Sequence, residues 1–194
     1  MSIHKAIALC AATLLGLCSA GALADMVLDS ENSGLRFISI KNNSVAEVHY
    51  FKNFSGSLSD DGQVNITVPL VDVETLVPIR NERMREFLFE TAVFPVATVT
   101  AKVDVPIVKA LASGDYVAME VKFSVELHGR KMEYQTMVGV ARLGDEIHVL
   151  TLVPLIVNAA DFGLLEGIEQ LRQLAGLQSI ATAVPVTARF AFKL

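Results

Sequence analysis

From Leu35 onward the chain repeats a period of two: apolar and polar side chains alternate, which confines the chain to strands with one buried and one wetted face. The runs Leu35 to Lys41, Val45 to Phe51, Val64 to Val73, Ala97 to Val105, Val117 to Leu127, Glu133 to Arg142, Glu146 to Leu155 and Val186 to Phe192 all carry it. Asp60-Asp61-Gly62, Ser113-Gly114-Asp115 and Leu143-Gly144-Asp145 supply tight turns between runs, because glycine accepts positive φ at no steric cost. Ser55-Gly56-Ser57 also reads as a turn. Such short connections make sequential strands antiparallel. About eight strands at hairpin spacing predict an all-β domain closed into an antiparallel barrel, which removes exposed edges. A two-layer sandwich meets the same period and stands as the alternative.

Two segments break the rhythm. Leu164, Leu165, Ile168, Leu171, Leu174 and Ala175 fall on one helical stripe, with Glu166, Glu169, Gln170, Arg172 and Gln173 opposite. Asp161 is placed to cap this helix and Gly176 to end it, and its expected role is to plug one end of the barrel. Arg80 to Phe89 reads as a shorter helical piece, with Phe87, Leu88 and Phe89 turned inward and Arg80, Arg83 and Arg85 outward.

The amino terminus predicts export. Lys5, an apolar stretch from Ala6 to Leu17 and the small-x-small pattern Ala22-Leu23-Ala24 make residues 1–24 a signal peptide, cleaved near Ala24, with a single domain over 25–194. The product is expected in the periplasm or secreted. Cys10 and Cys18 both lie in the signal, so the mature chain carries no thiol for a disulfide, a metal or a nucleophile. Removing Lys5 from 16 basic residues leaves 15 against 21 acidic ones, a net charge of about −6. Such a chain lacks the basic stripe that nucleic acid requires.

Catalytic chemistry has few candidates. His49, His128 and His148 sit in different runs without metal-ligand spacing, and no nucleophile elbow, phosphate-cradling loop or dinucleotide fingerprint occurs. Hence no cofactor, metal or catalytic residue is assigned. An enzyme acting on an apolar substrate stays open if two or more of His49, His128, His148 and acidic residues come within hydrogen-bond reach inside one pocket, and His49, Glu47 and His148 are a set that could meet across strands.

Four blocks together resemble one family. Arg80, Asn81, Arg83, Met84, Arg85, Phe87, Leu88, Phe89, Phe94, Pro95, Ala97, Thr98 and Val99 match an Arg-Asp-x-His-Leu-Arg, Phe-Phe, Tyr-Pro-x-Ala-Thr-Phe pattern, with Asn81 and Arg83 in place of the Asp and His. Phe51-Lys52-Asn53-Phe54-Ser55-Gly56 matches a Phe-x-x-Phe-x-Gly step, and Leu127-His128-Gly129 and Asp161-Phe162-Gly163 match later ones. The chain resembles the YceI-like family of exported, lipocalin-like barrels. That resemblance implies a partner: an isoprenoid lipid or ubiquinone-like quinone, carried in an apolar lumen and linked to respiratory, stress or envelope physiology.

The residues expected to line such a lumen are Phe37, Phe51, Phe54, Phe87, Phe89, Phe94, Leu127, Phe162, Leu165 and Ile168. Those expected to form a head-group rim are Arg80, Arg83, Arg85 and His128, since guanidinium forks pair with phosphate. Transient membrane contact and a homodimer accompany this reading. A barrel packed solid with its own side chains, acting structurally in the envelope, is the alternative, because the same alternation produces both.

Overall fold

The computed structural model describes residues 25–193, so the expected signal peptide lies outside the described residues. The strands are β1 (Met26–Leu28), β2 (Gly34–Lys41), β3 (Val45–Phe51), β4 (Ser55–Leu58), β5 (Gln63–Pro69), β6 (Val73–Glu74), β7 (Val96–Lys102), β8 (Tyr116–Leu127), β9 (Arg130–Leu143), β10 (Glu146–Thr151), β11 (Leu155–Asn158) and β12 (Ala183–Lys193). They make one antiparallel sheet in which β1, β4, β5, β7, β8, β9, β10 and β12 close an eight-stranded barrel. Closure runs through β1, where Val27 pairs with Ser57 of β4 and with Lys193 of β12. β2, β3 and β6 continue the wall from the other half of β12. The barrel expectation holds and the sandwich does not.

The longest strands follow the alternation directly. Along β12, Val184, Val186, Ala188, Phe190 and Phe192 face inward while Pro185, Thr187 and Arg189 lie between them. Shorter pieces depart from the sequence reading. The run Glu146 to Leu155 is not one strand but β10 and β11, separated by Pro154, which has no N–H for a ladder. Likewise the run from Val64 stops at Pro69 and turns over Leu70–Asp72. After β7 the chain enters a short helix, α2 (Val105–Lys109), whose Pro106 suits a first helical turn. Ser55-Gly56-Ser57 is strand, not turn. A Cβ on Gly56 would lie 2.7 Å from the Asn65 carbonyl oxygen, so the bare Cα is what lets β4 lie against β5.

The two barrel ends differ. At one, Val105 and Val108 of α2 pack with Leu58, Ile147 and Phe192, all buried. At the other lie α1 (Pro78–Arg83), a π-helical turn (Met84–Leu88) and α3 (Leu165–Leu174). α3 begins after Leu164 without a side-chain cap, so Asp161 does not play that part. Gly176, at φ 62°, does end it, and Leu177 N–H reaches back to the Arg172 carbonyl at 3.0 Å. Leu164 and Ile168 turn inward, whereas Leu165 is 46% exposed, because one helical step rotates it by about 100°.

Candidate functional site

The barrel encloses a cavity of about 330 Å³, within the range of small-molecule sites. Its wall comes from the inward rows of the strands, among them Val99, Val121, Val125, Val138, Val149 and Val186. Leu88 of the π-helical turn, Phe89 just after it, and Leu164 and Ile168 at α3 close the far end. Among the described residues only two polar side chains, Thr136 and Thr151, reach this wall. Both hydroxyls are engaged elsewhere: Thr136 donates to the Val153 carbonyl at 3.0 Å, and Thr151 accepts from Ala188 N–H at 3.2 Å.

This chemistry decides what the space can hold. Water needs two to four polar partners in a cavity, and this wall offers almost none. Left empty, a void of this size would cost ~8 kcal/mol at about 24 cal/mol per Å³, comparable with the ~5–15 kcal/mol net stability of a whole domain. An apolar guest relieves both problems.

Of the residues expected in the lumen, Phe37, Phe51, Phe89, Leu127 and Ile168 line it. The other five do not. Phe54 is buried in the wall, edge-on to Phe190 at 5.8 Å. Phe87, Leu88 and Phe89 were expected on one side together, but consecutive helical residues span about 200° and the turn presents only Leu88 and Phe89. Phe94 lies against the His128 ring, centroids 4.2 Å apart, beside Gly129. Phe162 is 0% exposed, packed with Ala159 and Leu164 within the loop before α3, and itself does not reach the lumen. Leu165 points outward, as described. The valines were missed because the aromatics drew the assignment; their signal was the inward phase of each alternating run.

The expected arginine rim is bound into the fold. Arg80 pairs with Glu47 and donates to the Thr75 carbonyl at 2.7 Å. Arg83 donates to the Leu174 carbonyl at 3.1 Å, tying α1 to the end of α3, and Arg85 donates to the Val71 carbonyl at 2.8 Å. His128 holds Glu90 at 2.7 Å and lies 3.2 Å from the Phe162 carbonyl. Each arginine thus satisfies backbone or carboxylate oxygens supplied largely from other parts of the fold.

Asn81, 5% exposed, shows why an amide stands there. Its Oδ1 accepts from Thr75 N–H at 2.9 Å and from the Thr75 hydroxyl at 2.6 Å, while its Nδ2 donates to Glu74 at 2.9 Å. A carboxylate could not donate to Glu74, which is held down to about 2 by Lys52 first, then by Asn81 and the Leu76 N–H.

His49 and His148 do not meet. His148 pairs with Glu146 at 2.8 Å, on the face of β10 opposite the lumen-lining Ile147 and Val149. His49 is only 2% exposed, its Nε2 2.8 Å from the Ser39 hydroxyl, on the inward face of β3. Its pKa is pushed down from 6.5 to about 4 by burial first, then by the Arg80 cation, with Glu47 opposing and Lys41 adding to the fall. The folded protein keeps this ring neutral where the unfolded chain takes up a proton, so its contribution is complete above pH 6.5 and is lost as pH falls toward 4. Urea unfolding across that window should show His49→Phe losing ~3 kcal/mol less than the unsubstituted protein. Parallel curves would refute this assignment. No group of three potential metal ligands occurs among the described residues.

A search of curated proteins found no match. Among solved structures, a polyisoprenoid binding domain from Saccharophagus degradans, implicated in plant cell wall breakdown, is 40% identical, with a TM-score of 0.85 over 87% of this chain and 97% of that one. BcnA from Burkholderia cenocepacia superposes with a TM-score of 0.67 at 16% identity, covering 84% and 98% of the two chains. The Campylobacter jejuni YCEI protein gives 0.54 at 12% identity, covering 75% and 84%. The last two show a shared fold. The pattern first met in Arg80 to Val99 extends to a match with the YceI-like domain over residues 26–192, and the chain belongs to that family.

Proposed function

We propose that this protein is an exported carrier that holds one long-tailed isoprenoid amphiphile, a polyprenyl compound or a ubiquinone-like quinone, for storage or transport in the cell envelope. The observation that carries the reading is the cavity of about 330 Å³ whose wall leaves no polar side chain free. A methyl-branched hydrocarbon chain matches such a wall, because apolar burial contributes about 25 cal/mol per Å² without any directional contact. The 40% identical polyisoprenoid binding domain supports the same ligand class. A barrel packed solid, the structural alternative, would have no such space.

Binding rather than catalysis fits the lining. A wall of valine, leucine and phenylalanine offers no group to give or take a proton, and the three histidines lie apart. Periplasmic or secreted placement follows from the expected signal peptide, and loading requires transient contact with the membrane where such lipids reside.

Uptake tests the proposal. Protein stripped of lipid and incubated with vesicles doped with a polyprenyl compound should leave gel filtration carrying about one lipid per chain. Its thermal midpoint should rise by ~5 °C or more, since a guest at 100 times its Kd adds about 2.7 kcal/mol. No lipid in the protein fraction and an unmoved midpoint would defeat the proposal.

A further inference from the structure

The polar atoms of the lumen wall are already engaged by backbone, so an amphiphile's head finds no partner beside its tail. The inward face of the β2–β3 hairpin, however, changes character along its length. On β2, Leu35 and Phe37 line the lumen, and the next positions in the same phase are Ser39 and Lys41. On β3, Phe51 lines it, and His49 and Glu47 continue the row. Lys41 pairs with Glu47 at 2.8 Å, and Arg80 joins from α1 through the same carboxylate. The boundary between apolar and polar stretches is the Phe37 ring, tilted against the His49 ring with centroids 5.2 Å apart.

Two buried side-chain atoms in this cluster lack a hydrogen-bond partner, His49 Nδ1 and Arg80 Nε. Their chemistry follows from their neighbours. The Ser39 hydroxyl contacts His49 Nε2, and its proton is used if it donates there, which leaves the ring proton on Nδ1. Arg80 Nε–H is a donor in any state. With Ser39 donating to Nε2, both unused groups are donors. Burying unpaired donors is unfavourable, and an acceptor oxygen brought by a guest removes that penalty. Lys41 and Arg80 against Glu47 leave one net positive charge, which disfavours an amine.

We propose that the Ser39–His49–Arg80 cluster receives the head group of the lumen ligand, through an oxygen that accepts from His49 Nδ1 and Arg80 Nε once the Phe37 ring turns aside. This rests on the carrier reading of the lumen. The head it selects is neutral or anionic and rich in acceptors, as in a quinone carbonyl or a phosphate ester.

Three probes with matched isoprenoid tails test it: a headless hydrocarbon, a quinone and a monophosphate. Lipid-free protein should bind at least one headed probe about tenfold tighter than the hydrocarbon, the worth of one to two hydrogen bonds. His49→Phe should narrow that preference to less than threefold. In the unsubstituted protein, the ¹⁵N resonance of His49 Nδ1 should move on binding the preferred headed probe and stay in place with the hydrocarbon, a readout that does not depend on how the variant folds. Quinone above phosphate, or the reverse, names the oxygen and supports the site either way. Equal affinity for all three, or an unmoved resonance, overturns the docking site alone. Failure of all three to bind overturns the carrier reading, and the docking site falls with it.

Discussion

Filling the lumen should abolish lipid uptake and at the same time stabilise the lipid-free barrel. Val99 and Val121 both line the cavity, on β7 and β8. Replacing each with phenylalanine would ordinarily overpack a core and cost about 1–3 kcal/mol. Here each ring enters free space of about 330 Å³ and buries new apolar area against the wall. Relief of the void should outweigh local crowding, and the lipid-free double variant should gain ~2 kcal/mol in urea unfolding. Its uptake of polyprenyl lipid should fall at least tenfold, since the volume a chain would occupy is taken. A double variant that still binds at full affinity, or that loses stability as an overpacked core does, would show that the cavity is not the binding space.

Gly167→Ala should also have a large effect, opposite to the usual one. A glycine inside a helix generally gains ~0.5–1 kcal/mol on replacement by alanine, because it has more backbone freedom to lose. At Gly167 the added Cβ would stand 2.4 Å from the Phe87 carbonyl oxygen and 2.8 Å from the Leu88 Cα. Both are backbone atoms, so no side-chain rotation relieves the clash. α3 must lift off the π-helical turn, and that turn carries Leu88, while Phe89 follows it against the lumen. The variant should lose ~2 kcal/mol of stability and release bound lipid several-fold faster. Stopped-flow transfer of a fluorescent prenyl probe to acceptor vesicles measures the second effect. A stabilised variant with unchanged release would mean that α3 does not close this end.

What was legible in the sequence was whatever the period of two could carry over many residues. β8 and β9, at 12 and 14 residues, alternate over most of their length and cover the runs the pattern marked, β9 starting three residues earlier at Arg130. β1 and β4, at three and four residues, are too short for a period to register, yet β1 is the strand that closes the ring. A glycine flanked by serines looks like a turn until the contact at Asn65 shows why a strand needs it. Lumen residues were half legible for a related reason. Size drew the assignment to phenylalanine, but large rings also fill walls and satellite clusters, as Phe54 and Phe162 do. The cavity is lined mainly by smaller side chains in the inward phase, and its openness depends on how far apart the walls stand, which alternation does not encode. The arginines carried a charge signal, but the Leu174, Val71 and Thr75 carbonyls that engage them are distant in sequence or set by backbone bends.

Native mass spectrometry of the protein taken from its own host reads whether the lumen is occupied. The spectrum should show a population near stoichiometric in one added mass, which collisional activation releases as an isoprenoid lipid and which the Val99→Phe, Val121→Phe double variant lacks. A spectrum showing only the bare chain, from protein that also takes up no prenyl compound afterwards, would contradict the carrier function.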